Sequence, residues 1–192
     1  MPDRVEISPS SLALSVLPPL TLVLGGARSG KSRFAEQTLE SAASALLYIA
    51  TAQALDDEMT ARIRQHRLRR DARWTTVEAP LDLCACLADL ARPDRPILVD
   101  CLTLWVSNLM LAARDVEAES AALVDLLPRL GGPVVLIANE VGLGIVPDNA
   151  LARAFRDHAG RLNQAIAARA QRVVLVTAGL PLVLKDLPST SR

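Results

Sequence analysis

Five short runs of Val, Leu and Ile, almost without charge, recur along this 192-residue chain. They are Leu20–Leu24, Ala45–Ala50, Ile97–Asp100, Val134–Asn139 and Val173–Thr177. Such runs are typical of strands buried on both faces, which requires a mostly parallel sheet covered by helices on both sides. A weaker strand is predicted at Thr75–Ala79. Leu182–Lys185 predicts an edge strand, because Pro181 cannot donate a backbone hydrogen bond.

Helices are predicted in the intervals, so the chain reads as repeated β-α-β units with right-handed crossovers and a three-layer α/β fold. They are Lys31–Ala43, Asp56–Arg70, one with Pro80 in its first turn that runs to about Ala91, one through Leu123–Leu130 that Gly131 and Gly132 end, and one near residues 148–170. In the last, Leu151, Phe155, His158, Leu162 and Ile166 share one face. His158 is interpreted there as a packing residue.

Length and composition indicate one domain over residues 20–186, with an N-terminal extension at 1–19 and a tail at 187–192. Hydrophobic residues make up 51% of the chain, the formal net charge is zero and aromatic residues make up 3%. A neutral chain with few stacking residues is not expected to bind nucleic acid. No apolar run reaches the roughly 18 residues of a membrane span.

The odd cysteine count predicts reduced thiols in a cytoplasmic protein rather than a disulfide framework. The three cysteines are Cys84, Cys86 and Cys101, all in apolar surroundings. Cys84 and Cys86 are expected on different faces of a helix, a spacing that matches no metal site by itself.

Between the first predicted strand and the first predicted helix, the chain matches the phosphate-binding pattern G-x-x-x-x-G-K-[ST] in full. The residues are Gly25, Gly26, Ala27, Arg28, Ser29, Gly30, Lys31 and Ser32. Gly25 and Gly30 allow successive backbone N–H groups to converge on phosphate oxygens. Lys31 is expected to reach the β and γ phosphates, and Ser32 to bind Mg²⁺. A chance glycine-rich turn is the weaker alternative, since the strand and helix context also fits.

Asp100 ends an apolar run, as the acid of a Walker-B strand does. It is therefore expected at the carboxyl end of a strand neighbouring the first, close to Mg²⁺. The alternative is that Asp100 caps a helix beginning near Leu102. The segment Asn139-Glu140-Val141-Gly142 stands where a regulatory GTPase would carry Asn-Lys-x-Asp, so that class is disfavoured.

Six arginines crowd twelve residues of an otherwise balanced chain. They are Arg62, Arg64, Arg67, Arg69, Arg70 and Arg73, with His66 among them. Such density points to a multiply charged anion, most simply a triphosphate or pyrophosphate. A solvated basic helix face is the simpler interpretation, and His66 shares a helical face with Met59 and Ile63. Spacing alone thus favours a structural His66 slightly over a catalytic one.

An ordered set of segments closely resembles one family. The segments are Gly25–Ser32, Tyr48–Gln53, Asp56–Met59, Arg62–Arg67, Trp74 with Glu78, Asn139–Gly142, Gly144–Pro147 and Phe155–Gln164. The chain resembles the bifunctional adenosylcobinamide kinase/adenosylcobinamide-phosphate guanylyltransferases of cobalamin biosynthesis, from about Leu22 to Lys185. The resemblance implies a RecA-like P-loop fold and a homotrimer with active sites near subunit boundaries.

The same resemblance implies two reactions. The first moves a phosphoryl group from a nucleoside triphosphate, ATP or GTP, to the aminopropanol hydroxyl of adenosylcobinamide. The second transfers GMP from GTP, through a guanylylated histidine, to adenosylcobinamide phosphate, which gives adenosylcobinamide-GDP and pyrophosphate. His66 falls where the family has its nucleophile, so the resemblance reverses the structural interpretation of it. The implied nucleotide contacts are Gly25–Ser32, Thr51, Ala52, Gln53, His66, Arg67, Leu68, Arg69, Glu78 and Asp100, with Ser32 and Asp100 on Mg²⁺.

Two alternatives stay open at this point. One is a kinase for another small alcohol, whose arginine-rich helix covers phosphates as a lid. The other is a nucleic-acid-dependent ATPase of RecA-like fold, against which the neutral charge and scarce aromatic residues count.

Overall fold

A computed structural model describes residues 17–53 and 70–188. Its strands form one seven-stranded sheet in the order β3-β2-β4-β5-β1-β6-β7. They are β1 (Leu20–Gly25), β2 (Leu46–Ala50), β3 (Trp74–Glu78), β4 (Ile97–Asp100), β5 (Val134–Asn139), β6 (Arg172–Thr177) and β7 (Leu180–Asp186). Strands β1 to β6 pair in parallel, and β7 pairs antiparallel with β6 at the edge. The predicted mostly parallel sheet is confirmed, and the edge strand lies where Pro181 predicted it.

Helices cover both faces of this sheet. They are α1 (Lys31–Glu40), α2 (Leu83–Leu90), α3 (Leu102–Leu111), α4 (Val116–Leu126) and α5 (Ala150–Arg169), with a short 3-10 helix at Leu127–Arg129. Side chains alternate between the faces along each strand. Leu22, Leu47 and Leu136 join the core cluster formed with α2 to α5. Val23, Tyr48 and Ile137 join a second cluster with Ala35 and Leu39 of α1. This is the predicted three-layer arrangement.

Two predicted helix boundaries are wrong because local bonds end or delay the helix. Helix α1 stops at Glu40 instead of Ala43, since the Leu39 carbonyl accepts from the N–H groups of both Ala42 and Ala43. The third predicted helix begins at Leu83 and not at Pro80. The Pro80 carbonyl accepts from Asn108 Nδ2 at 3.0 Å, and the Leu81 carbonyl from Trp105 Nε1 at 2.8 Å. These bonds to α3 hold residues 80 and 81 outside the helix.

Helix α4, predicted from the leucines between Leu123 and Leu130, begins earlier, at Val116. The Asp115 carboxylate caps α4 by accepting from the N–H groups of Glu117 and Ala118, both at 3.0 Å. The α-helix ends at Leu126 and continues as the 3-10 turn that contains Pro128, which lacks a backbone N–H.

The stripe predicted for the last helix is only partly buried. Leu162 and Ile166 are buried, and Phe155 packs against the core. Leu151 is 64% exposed, because α5 contacts the core only from Phe155 onward, so that part of the prediction is wrong. The helix predicted at Asp56–Arg70 lies outside the described residues except for Arg70. No helix within residues 17–53 and 70–188 is long and apolar enough to cross a membrane.

Candidate nucleotide site

Gly25 and Gly30 shape the loop between β1 and α1, and a side chain at either position would cause strain. A Cβ on Gly25 would lie 2.5 Å from the Val176 carbonyl oxygen and 2.5 Å from Ser29 Oγ. Gly30 has a φ of 95° and lies against Gly179, whose N–H donates to the Ser29 carbonyl at 2.8 Å. The β6–β7 turn therefore contacts the loop and holds it in place. Helix α1 starts immediately after Gly30, without a side-chain cap.

Gly26, Ala27 and Arg28 form the exposed rim of this loop, and Arg28 adopts a positive φ of 57°. Lys31 is buried, and its Nζ donates to the Gly26 carbonyl at 3.0 Å. The ammonium group thus lies over the loop whose N–H groups the sequence assigns to phosphate. Ser29 Oγ is buried and has no hydrogen-bond partner within the described part of the chain. A buried hydroxyl without a partner fits a loop built to meet a polar ligand.

Asp100 lies at the carboxyl end of β4, with its carboxylate turned toward α1. Its Oδ2 accepts hydrogen bonds from Ser32 Oγ at 3.0 Å and from the Tyr48 hydroxyl at 3.1 Å. The expectation that β4 neighbours β1 is wrong, because β5 lies between them. The capping alternative is also wrong, since Cys101 occupies the N-cap of α3 and no side chain caps that helix. The Ser32 hydroxyl and the Asp100 carboxylate nevertheless meet, as the Mg²⁺ prediction requires.

These two side chains suit the metal ion that the P-loop implies. A hydroxyl oxygen and a carboxylate oxygen 3.0 Å apart are hard oxygen donors, the type that Mg²⁺ prefers. The pair lies directly behind the phosphate loop, because Ser32 follows Lys31 in the first turn of α1. The residues present therefore fit Mg²⁺.

In the segment after β2, Thr51 makes buried hydrogen bonds and the next two residues lie at the surface. The buried Thr51 hydroxyl accepts from the Cys101 N–H at 2.8 Å and donates to the Cys101 carbonyl at 2.7 Å. Asn108 Nδ2 donates to the Thr51 carbonyl at 2.8 Å. Thr51 thus joins the ends of β2 and β4 and anchors α3 to them. Ala52 and Gln53 follow at the surface, and Glu78 is exposed at the end of β3, opposite Ala50.

The arginine cluster is described only at its end. His66, Arg67, Leu68 and Arg69 lie outside the described residues, as do Arg62 and Arg64. The Arg70 guanidinium carbon lies 3.5 Å from the centroid of the Tyr48 ring. Arg73 is held by Asp71, and its Nη1 donates to the Glu40 carbonyl at 3.0 Å. Hydrogen bonds from Arg73 lower the pKa of the Asp71 carboxyl. Arg73 therefore joins β3 to α1 instead of facing an anion.

Sequence reasoning left three residues near the site without a role. Tyr48 and Asn108 contact Asp100 and Thr51, and Thr103 Oγ1 accepts from the Asn139 N–H at 2.6 Å. Two signals marked Tyr48: it is a polar aromatic residue inside an otherwise aliphatic strand, and it begins one of the segments that carry the family resemblance. Burial, followed by the nearby Asp100 carboxylate, raises the pKa of the Tyr48 phenol far above its ordinary value.

The second histidine lies on α5, and the three cysteines lie on α2 or at the start of α3. His158 is half-buried on α5, with Nδ1 3.4 Å from Arg161 Nη2. Cys84 and Cys86 are half-buried on α2 and Cys101 is buried, all as free thiols. Burial raises the pKa of Cys101 to about 11.

The loop, the strand before it and the paired Ser32 and Asp100 define a P-loop nucleotide-binding protein. Solved structures support the fold. The flagellar accessory protein FlaH from Methanocaldococcus jannaschii is 11% identical with a TM-score of 0.51, over 92% of this chain and 84% of that one. A prototypical ATPase from the type III secretion system of pathogenic bacteria is 10% identical with a TM-score of 0.53, over 88% of this chain and 59% of that one. At these identities the likeness concerns the fold alone.

Sequence comparison defines the particular family. The model for cobinamide kinase / cobinamide phosphate guanyltransferase matches residues 21–184. The bifunctional adenosylcobalamin biosynthesis protein CobP of Pseudomonas aeruginosa is 51% identical over 169 residues, which cover 87% of this chain and 98% of CobP. CobU of Salmonella typhimurium is 46% identical over 182 residues, 86% of this chain and 99% of CobU. This chain belongs to the cobinamide kinase / cobinamide phosphate guanyltransferase family, which confirms the resemblance and makes it an enzyme of both activities.

Proposed function

We propose that the loop from Gly25 to Ser32 carries the kinase reaction, transfer of a γ-phosphoryl group from ATP or GTP to the aminopropanol hydroxyl of adenosylcobinamide. The observation that carries this proposal is the contact of Ser32 with Asp100 behind a glycine-shaped loop. Mg²⁺ held by Ser32 and Asp100 would offset the negative charge that develops on the phosphate oxygens.

The residues of the chain then have separate tasks in phosphoryl transfer. Lys31 exchanges the Gly26 carbonyl for the β and γ phosphates and neutralises part of their charge. The Ser32 hydroxyl and the Asp100 carboxylate would hold the metal, and backbone N–H groups of the loop would hold the phosphate oxygens. The substrate hydroxyl attacks the γ-phosphorus, the bond to the β–γ bridging oxygen breaks, and the nucleoside diphosphate leaves.

The guanylyltransferase reaction is assigned to His66. A neutral imidazole nitrogen attacks the α-phosphorus of GTP, and the α–β bond breaks to release pyrophosphate. A phosphate oxygen of adenosylcobinamide phosphate then attacks the same phosphorus and displaces the imidazole, which gives adenosylcobinamide-GDP. Family membership supports this assignment, together with the match of His66 to the family nucleophile. Because the attacking nitrogen must be unprotonated, the adduct is expected to form poorly below about pH 6.

Further nucleotide contacts are proposed for residues around these two centres. They are Thr51, Ala52, Gln53, Arg67, Leu68, Arg69 and Glu78. Ala52, Gln53 and Glu78 lie at the carboxyl ends of β2 and β3, the edge of a parallel sheet where ligands of such folds bind.

We further propose a cytoplasmic homotrimer whose domain comprises residues 20–186. Apolar side chains exposed on and just after β7 support self-association, because a single chain leaves them in water. They are Leu180, Leu182, Val183, Leu184 and Leu187, which are between 39% and 68% exposed. The odd number of free thiols suits a reducing compartment.

Incubation with adenosylcobinamide, ATP and GTP, followed by mass analysis of the corrinoids, tests both reactions together. Adenosylcobinamide phosphate and adenosylcobinamide-GDP are the expected products. A kinase for another alcohol would leave adenosylcobinamide unchanged. If the protein instead hydrolysed ATP only when DNA was added, the nucleic-acid-dependent ATPase would replace this proposal.

A further inference from the structure

Tyr48 is the only tyrosine of the chain and lies in the buried strand β2. Its side chain is 5% exposed, between the sheet and α1. An aliphatic side chain would fill this layer without a polar group that needs a partner. The hydroxyl finds that partner in Asp100, 52 positions later in the sequence.

The hydroxyl and the ring of Tyr48 each hold a different part of the site. Asp100 Oδ2 accepts from Tyr48 at 3.1 Å and from Ser32 at 3.0 Å. When the Ser32 hydroxyl turns to a metal ion, Tyr48 remains as the donor that fixes the carboxylate.

On the ring side, the Arg70 guanidinium carbon lies 3.5 Å from the centroid, within range of a cation–π contact. Trp74 packs against the same ring edge-on, with centroids 6.3 Å apart and an interplanar angle of 79°. Arg70 and Trp74 thus both contact the ring whose hydroxyl donates to Asp100.

We propose that Tyr48 is a positioning residue for phosphoryl transfer, with its hydroxyl orienting Asp100 and the contact of its ring with Arg70 holding the phenol in place. It acts through Asp100 and does not contact the reacting atoms. This proposal rests on the proposed role of Asp100 as a ligand of Mg²⁺.

Tyr48→Phe removes the hydroxyl and keeps the ring. We expect its affinity for Mn²⁺, a paramagnetic substitute for Mg²⁺ measured by electron paramagnetic resonance with bound nucleotide, to fall by about tenfold. The kinase kcat should fall with little change in the KM for adenosylcobinamide. Thr38→Val is the matched control, because that hydroxyl donates to the Phe34 carbonyl within α1. Wild-type Mn²⁺ affinity and kcat in Tyr48→Phe would overturn the assignment of the hydroxyl.

The ring contact is tested in protein labelled with 3-fluorotyrosine, which gives one ¹⁹F resonance because Tyr48 is the only tyrosine. Asp100→Asn and Arg70→Gln should each shift that resonance, and Thr38→Val should not. A resonance that does not shift in Arg70→Gln would contradict the contact between the Tyr48 ring and Arg70. A folded Asp100→Asn protein with wild-type affinity for Mn²⁺ would instead contradict the proposed metal role of Asp100.

Discussion

The phosphate loop and the arginine-rich segment differ in what holds them in place. The loop is fixed by backbone geometry, with Gly25 against the Val176 carbonyl and Gly179 bonded to Ser29. The described end of the arginine segment is held by side chains, since Arg70 stacks on Tyr48 and Arg73 pairs with Asp71. Backbone constraints restrict residue identity tightly, and side-chain contacts do so loosely. The site of the kinase reaction can therefore be predicted from a short motif. The site of the guanylyltransferase reaction can be predicted only from the resemblance to the family.

Lys31→Ala should have the largest effect on the loop side of this comparison. Loss of a charge that offsets the β and γ phosphates is expected to slow phosphoryl transfer by about 10² to 10³-fold. The measurement is transfer of ³²P from γ-labelled ATP to adenosylcobinamide. The thermal midpoint should remain close to that of wild type, and a folded variant with an unchanged rate would remove Lys31 from the kinase reaction.

Gly25→Ala tests whether backbone geometry fixes the loop. The added Cβ would meet the Val176 carbonyl at 2.5 Å, so we expect a loss of about 1–3 kcal/mol in the free energy of unfolding and a displaced loop. Urea denaturation measures this loss. Gly160→Ala in α5 is the control, because its Cβ meets nothing within 4 Å and alanine favours a helix. Equal stability of the two variants would contradict the geometric argument.

Thr51→Val tests the hydrogen bonds by which the Thr51 hydroxyl joins the end of β2 to the Cys101 backbone after β4. Removal of the hydroxyl leaves the Cys101 N–H without its buried partner, which should cost about 1–3 kcal/mol of unfolding free energy. Thr51→Ser keeps the hydroxyl and should lose less. If both variants unfold at the same urea concentration as wild type, the Thr51 hydroxyl does not contribute to the free energy of unfolding.

The buried thiol behind Asp100 predicts a smaller effect that depends on pH. The folded pKa of Cys101 is about 11, above its ordinary value of 9.0, because burial disfavours the thiolate. The folded state thus holds the proton more tightly, and this contribution to stability is complete below pH 9 and is lost as the pH rises to about 11. Urea unfolding at both ends of that range measures the loss, which Cys101→Ala should reduce. An identical pH profile in that variant would contradict the assignment.

Much of the fold could be predicted from the sequence because its signals are local. The apolar runs specified all the buried strands, and the glycines specified the loop, since each depends on neighbouring residues alone. The start of α2 could not be predicted, because bonds from Asn108 and Trp105 hold Pro80 and Leu81 outside it. The bond from Tyr48 to Asp100 was equally hidden, since its partners are 52 positions apart and nothing in either neighbourhood marks the pair.

The central claim is that the two reactions depend on different regions of one chain. Incubation of His66→Ala with α-³²P GTP, alongside a kinase assay with γ-³²P ATP, tests it most directly. The account predicts loss of protein-bound GMP and of adenosylcobinamide-GDP, with the kinase reaction largely kept. A folded His66→Ala protein that still accumulates covalent GMP would contradict it and make His158 the next residue to substitute.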